Sequence, residues 1–97
     1  MDKLEILDAI KKNGQKIQML GVSSIALFGS YARNEAKDNS DIDILVEFFP
    51  GKKTFDNYMD LRIFLEDLYA KKIDLVIKES IKEGLRTNIL NEAVYAA

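Results

Sequence analysis

The chain has 97 residues, of which 47% are hydrophobic and 31% are charged, and it carries a formal net charge of −2 at pH 7. A chain of this length can bury roughly 60% of its unfolded surface, so we expect one domain over residues 1–97. Cysteine and histidine are absent, which excludes disulfides, thiol nucleophiles, imidazole bases and zinc sites built on thiolates. Any bound metal ion must therefore take oxygen ligands, which favours Mg²⁺ or Mn²⁺.

The slightly negative net charge also bears on the class of partner. Proteins that bind nucleic acid normally present a basic surface, so we expect no direct nucleic-acid contact and no polymerase role. The first residues lack a basic segment followed by an apolar core, and no apolar run approaches the ~18 residues that span a bilayer. We therefore expect a cytoplasmic protein that does not contact the membrane.

The first predicted element is a helix that continues to Met19. Asp2 with Glu5 three residues later forms the pattern of a capping box, and apolar residues follow at helical spacing. Gly14 weakens this helix and Gly21 ends it. The apolar stripe consists of Leu4, Leu7, Ile10 and Ile17.

The middle of the chain alternates strands and polar turns. Residues 23–28 predict a strand that leads into a Gly29-Ser30 turn and a short helix from about 31 to 34. The polar segment 35–40 is a loop, and residues 41–49 predict a second strand, which Pro50-Gly51 ends.

The last third predicts two helices around a third strand. Thr54 caps a helix that ends where Lys71 and Lys72 complement its C-terminus, residues 73–77 form the strand, and residues 82–92 form the final helix. Residues 93–95 remain unassigned. This order predicts an α/β (α+β) fold, with helices flanking a small mixed sheet of three strands.

Two of these strands carry acidic residues within apolar sequence. Asp41 and Asp43 leave the same face of a strand about 6.5–7 Å apart, so both can contact a shared pair of divalent ions. Asp74 interrupts the apolar strand Ile73–Ile77. A carboxylate inside an apolar strand costs desolvation energy, which metal ions would offset. A solvated loop edge is the simpler interpretation of the Asp41-Ile42-Asp43 pattern alone.

Several stretches resemble the minimal nucleotidyltransferases of the DNA polymerase β superfamily, which include the antitoxins of toxin–antitoxin pairs whose toxin is a HEPN ribonuclease. The resemblance rests on Phe28-Gly29-Ser30-Tyr31-Ala32-Arg33, Ser40 to Phe48, Pro50 to Lys53, Lys72 to Val76, and Ile89 to Tyr95. Asn34 stands where many relatives have Gly, and Asn tolerates the left-handed backbone that this turn requires.

The resemblance implies a polymerase-β-like fold in which the third strand lies beside the second and brings Asp74 to the other two carboxylates. Asp41 and Asp43 would bind both metal ions, and Asp74 would bind one of them and accept the proton. Gly29 and Ser30 would bind the β- and γ-phosphates. Arg33 would reach the triphosphate with its planar guanidinium.

Simpler readings stay open for several residues. The Gly29-Ser30 pair can be a plain strand exit, and Arg33 can instead pair with Glu35 or Asp38. Ser40 is expected to brace the loop, and Glu47 to lie on the surface. The third helix is expected to be core, although its aromatic residues could form a nucleobase pocket. Lys52 and Lys53 are expected in a solvated loop, although they could also bind phosphates.

The resemblance implies transfer of AMP from ATP to a hydroxyl, expected on a tyrosine, of a partner HEPN toxin, which makes this chain the antitoxin in a hetero-oligomer. Two alternatives remain. One is an antitoxin that masks its toxin without catalysis. The other is the catalytic subunit of a two-chain small-molecule nucleotidyltransferase.

Overall fold

The computed structural model describes residues 1–96, and Ala97, the last residue of the predicted domain, lies outside the described residues. The elements are α1 (Lys3–Lys12), α2 (Gly14–Met19), β1 (Val22–Phe28), α3 (Gly29–Ala32), β2 (Ile42–Phe48), α4 (Phe55–Tyr69), β3 (Ile73–Ile77), α5 (Glu83–Glu92) and β4 (Val94–Tyr95), with a 3-10 turn at Lys78–Ser80.

The strands form one mixed sheet in the order β3-β2-β1-β4. β1 runs antiparallel to both of its neighbours, whereas β2 and β3 are parallel. The expected mixed sheet with β3 beside β2 is confirmed, but the expected count of three strands is wrong. The additional strand comes from the unassigned tail, because Val94 and Tyr95 pair with Leu27 and Ala26. A strand of two residues is too short to show a periodic pattern.

The prediction of one continuous N-terminal helix is also wrong. The capping box at Asp2 and Glu5 is present, but α1 ends at Lys12 and α2 begins at Gly14. Asn13 separates them, with φ −105° and ψ 17° and with its side-chain amide donating to the Ala9 carbonyl at 2.8 Å. Asn commonly satisfies backbone groups in this way and so ends helices. The bend still places Ile17 in the core, where it is 2% exposed.

The sheet buries a core on each face. One face packs against α1, α2 and α4, and the other packs against α5 and the segment before it. The first core includes Ile6, Ile10, Leu27, Ile42, Ile44, Leu61, Leu65 and Ile73, and the second includes Ala26, Phe28, Leu45 and Ile81. Because side chains alternate along β2, Ile42 and Ile44 enter the first core while Asp43 leaves the opposite face.

Helix α4 is the longest described helix, with 15 residues. Thr54 caps it as expected, since its hydroxyl accepts from the Asn57 amide at 3.1 Å. It ends at Tyr69 rather than at the lysines, because Ala70 adopts a left-handed conformation with φ 52°. Within residues 1–96, no helix combines the length and apolar character that crossing a bilayer requires.

Two non-glycine residues with positive φ make a matched pair for a test of backbone strain. Ala70 and Asn34 have φ 52° and 58°. Left-handed backbone costs an alanine about 1–2 kcal/mol, and part of the gain from glycine is offset by its larger unfolded-state entropy. We predict that Ala70→Gly stabilises the protein by about 0.5–1 kcal/mol, whereas Asn34→Gly changes its stability by only a few tenths. Urea unfolding measures both, and a destabilised Ala70→Gly variant would contradict the assignment of strain.

Candidate active site

The exit of β1 into α3 is shaped by a close contact between Gly29 and Asp43. Gly29 is buried and has φ +75°. A Cβ atom built on it would lie 2.7 Å from Cγ of Asp43 and would overlap the carboxylate. Phe28 and Asp43 are partners in the antiparallel register of β1 and β2, which fixes this approach. Glycine is therefore required here both by its backbone angle and by the neighbouring carboxyl group.

The parallel register of β2 and β3 places Asp43 directly opposite Asp74. Burial raises the pKa of Asp43 to about 6, with further contributions from the charge of Asp74, a hydrogen bond with Asp74 and the charge of Asp41, while Arg33 acts in the opposite direction. Asp43 is half-buried, whereas Asp74 and Asp41 are exposed. The sheet thus holds a carboxylate in a place where negative charge is unfavourable, and such groups concentrate at functional sites.

Asp41 lies just before β2, at the end of the loop that precedes the strand. As expected, Ser40 braces this loop, because its hydroxyl accepts from the Lys37 amide at 2.9 Å. Lys71 anchors the same loop by donating to the Asp38 carbonyl at 2.7 Å. The structure therefore brings Asp41 within electrostatic range of Asp43 on a supported segment.

Oxygen ligands are available at this site, but they are not arranged as a closed cage. Within residues 1–96, no three acidic side chains converge closely enough to form a metal-binding group. Asp41 and Asp74 are exposed, and both lie close enough to Asp43 for their charges to raise its pKa. The mutual repulsion that raises the pKa of Asp43 is the kind of interaction that a divalent cation relieves.

Arg33 lies beside the Gly29 turn and is bound by two carboxylates. Its Nε donates to Glu35 at 3.2 Å, and its Nη1 donates to Oε2 of Glu92 at 2.8 Å. The hydrogen bond to Glu92 is the main cause that raises the pKa of Arg33. Oε1 of Glu92 also accepts from the backbone N–H of Gly29 at 3.3 Å. The ion pair with Glu35 was an alternative suggested by the sequence, whereas Glu92 was not expected at the site.

The sequence did not indicate that Glu92 belongs to the site, because 63 residues separate it from Gly29. Glu92 does lie within the segment Ile89–Tyr95 that contributes to the family resemblance. Membership of that segment was the sequence feature that could have indicated a role at the site. The contacts of Glu92 form because α5 packs beside the end of β1. The spacing of apolar residues along the sequence does not predict such a tertiary contact.

Three further charged residues, Glu47, Lys52 and Lys53, lie away from the carboxylates. Glu47 was expected on the surface, but its side chain is only 33% exposed and accepts from Ser24 and Lys78. Lys52 and Lys53 are exposed, as expected. They follow the end of β2 that is farthest from Asp43, about 17 Å along the strand. That placement favours the solvated loop over phosphate binding.

A groove of about 500 Å³ lies between the start of α4 and β3. Its lining includes Phe55, Tyr58, Leu75 and Ile77, and none of the three aspartates. Because side chains alternate along β3, Leu75 and Ile77 leave the face opposite to Asp74. Together with the burial of Leu61 and Leu65, this supports a core role for α4 rather than a nucleobase pocket at the carboxylates.

Comparison with known proteins agrees with this architecture. The nucleotidyltransferase domain family matches residues 4–96. The protein adenylyltransferase MntA of Thermococcus cleftensis is 44% identical over 92 residues, which cover 93% of this chain and 88% of that protein.

Solved structures give the same result. A candidate minimal nucleotidyltransferase superposes with a TM-score of 0.82 at 34% identity, covering 97% of this chain and 95% of that one. The complex of tri-AMPylated Shewanella oneidensis HEPN toxin with MNT antitoxin contains a chain that superposes with a TM-score of 0.65 at 20% identity, covering 94% of this chain and 71% of that one, a similarity of fold alone. With the family match spanning nearly the whole chain, the protein belongs to the minimal nucleotidyltransferases and is an enzyme of the nucleotidyltransferase class.

Proposed function

We propose that this nucleotidyltransferase transfers AMP from ATP to a hydroxyl group, of a tyrosine, on a partner HEPN toxin and so acts as the antitoxin. The observation that carries this proposal is the half-buried Asp43, which lies against Gly29 and opposite Asp74 with a raised pKa. A carboxylate in this position weakens folding, and a chemical role explains why the fold retains it. The named activity of the MntA relative supports AMP as the transferred group.

In the transfer, the acceptor oxygen forms a bond with the α-phosphorus of ATP, the bond to the β-phosphate oxygen breaks, and pyrophosphate leaves. Asp74 is exposed and lies directly opposite Asp43 on the neighbouring strand. We propose that its carboxylate accepts the proton of the acceptor hydroxyl. The Gly29 amide, Ser30 and Arg33 bind the triphosphate.

Asp41, Asp43 and Asp74 are the residues that would hold Mg²⁺ or Mn²⁺. Their donor set is entirely oxygen, and the chain contains no histidine or cysteine that would favour another metal. Bound divalent cations would neutralise the triphosphate and lower the pKa of the attacking hydroxyl. The repulsion between these carboxylates supports this assignment, because it makes the site complementary to positive charge.

The proposed acceptor is a protein because the MntA relative, 44% identical to this chain, is named a protein adenylyltransferase. The HEPN complex of the structural neighbour supports a toxin as that protein. Masking without catalysis is the main competing function. It does not require a carboxylate of raised pKa against a glycine, which is why we favour covalent modification of the toxin.

The Asp43→Asn variant tests whether this carboxylate serves chemistry or structure. The folded-state pKa of Asp43 lies near 6, above its usual 3.8, so the protonated side chain favours folding and this contribution is lost as the pH rises through about 6. In chelator at pH 7.5 we predict that Asp43→Asn is more stable than wild type by about 1 kcal/mol, a figure discounted for solvent exposure. The difference in stability between the variant and wild type should shrink toward pH 4, because Asp43 is then protonated in the folded protein.

Thermal melts from pH 4 to 8 measure this difference. Asp60→Asn, which removes an exposed carboxylate from α4, is the matched control and should track wild type across that range. A variant at Asp43 that is clearly less stable than wild type at pH 7.5 would show that Asp43 holds the fold together, and the catalytic assignment would lose its support.

Transfer itself is tested with a purified HEPN toxin, ATP and Mg²⁺, using about one molecule of this protein per twenty of the toxin. A covalent mechanism predicts that the toxin gains about 329 Da per transferred AMP and stays inactive after repurification. Chelator and Asp43→Asn should each abolish the mass gain. If the variant silences the toxin as well as wild type does, and only at equimolar amounts, masking is the correct function.

A further inference from the structure

Glu92 occupies groups that the proposed function assigns to the nucleotide. One carboxylate oxygen accepts the backbone N–H of Gly29 at 3.3 Å, and the other accepts Nη1 of Arg33 at 2.8 Å. A phosphate oxygen seeks the same two kinds of donor, a backbone amide and a guanidinium. These donors are therefore already bound by an anionic side chain of the protein itself.

The backbone on both sides of Glu92 is firmly held. Glu92 is the last residue of α5, which packs against the sheet through Ile89 and Leu90. Directly after it, Val94 and Tyr95 pair with β1, and the Ala96 amide donates to the Ile25 carbonyl at 3.1 Å. Release of the two donors therefore requires only rotation of the Glu92 side chain, while α5 and β4 stay in place.

The ion pair is partly exposed, which limits its strength. The side chains of Arg33 and Glu92 are 45% and 30% exposed, respectively. Ion pairs of this kind contribute little free energy, and a single hydrogen bond to a charged group adds a modest amount. A triphosphate, with more charge than one carboxylate, can displace Glu92, although part of its binding energy is lost in doing so.

We propose that Glu92 is an internal competitor for the nucleotide's phosphates, which holds the Gly29 amide and Arg33 until the triphosphate displaces it. This inference rests on the proposed function, because it takes Gly29 and Arg33 to be phosphate ligands. It assigns to the last turn of α5 a role in setting nucleotide affinity. Removing the competing charge should then strengthen binding rather than weaken it.

Calorimetry with Mg²⁺ and α,β-methylene-ATP, an analogue whose bridge between the α- and β-phosphates the transfer reaction cannot cleave, tests the proposal. Glu92→Gln keeps the shape of the side chain but loses its charge, and we predict that its Kd falls roughly threefold to tenfold. Glu92→Asp keeps the charge but is one methylene too short to reach both donors, so its Kd should also fall. It serves as a second test should Glu92→Gln fold poorly. Glu83→Gln removes an exposed charge from the first turn of the same helix and should bind like wild type.

Each outcome has a distinct meaning. Unchanged or weaker binding by Glu92→Gln, with wild type binding normally, overturns the competition and leaves the proposed function intact. An equal gain in Glu83→Gln also overturns it, because general charge would then explain the effect. If neither wild type nor any variant binds the nucleotide, the proposed function fails and this inference fails with it.

Discussion

The parallel pairing of β2 and β3 is the constraint on which the site depends. It sets Asp43 opposite Asp74, while the antiparallel pairing of β2 with β1 sets the same Asp43 against Gly29. One central strand thus joins the carboxylates to the turn that we assign to the phosphates. A register slip of one residue would turn Asp43 into the core that Ile42 and Ile44 now fill and would move these two residues to the face of the carboxylates. The hydrophobic pattern that stabilises the sheet therefore also fixes the position of Asp43.

This arrangement has a cost in stability that the rest of the fold offsets. Asp43 is half-buried beside other acids, and its raised pKa is the sign of that strain. Fully buried apolar side chains on the opposite face of the sheet, such as Ile42, Ile44 and Leu61, supply the compensating stabilisation. Glu92 adds a further negative group at the Gly29 turn, where Arg33 balances it. The negative charge of the carboxylates thus makes the site complementary to a divalent cation.

Much of this architecture follows from local sequence. The alternation of Ile42, Asp43 and Ile44 predicts both the strand and the face that carries the acid, and an isolated Asp74 within an apolar strand does the same for β3. The family resemblance, rather than any periodicity, predicted that β3 lies beside β2. The contact of Glu92 with Gly29 and the pairing of Val94 and Tyr95 with β1 could not be predicted, because they depend on where α5 returns in three dimensions. The helix break at Asn13 was missed because its side-chain bond to Ala9 competes with an otherwise regular helical pattern.

The most direct test of the account is a crystal structure of the protein with Mn²⁺ and α,β-methylene-ATP, in which anomalous scattering locates the metal. The account predicts manganese between Asp43, Asp74 and Asp41, phosphate oxygens on the Gly29 amide and Arg33, and the Glu92 side chain rotated away from both. Metal bound elsewhere, or a nucleotide that leaves Glu92 on the Gly29 amide while its phosphates contact other residues, would contradict it.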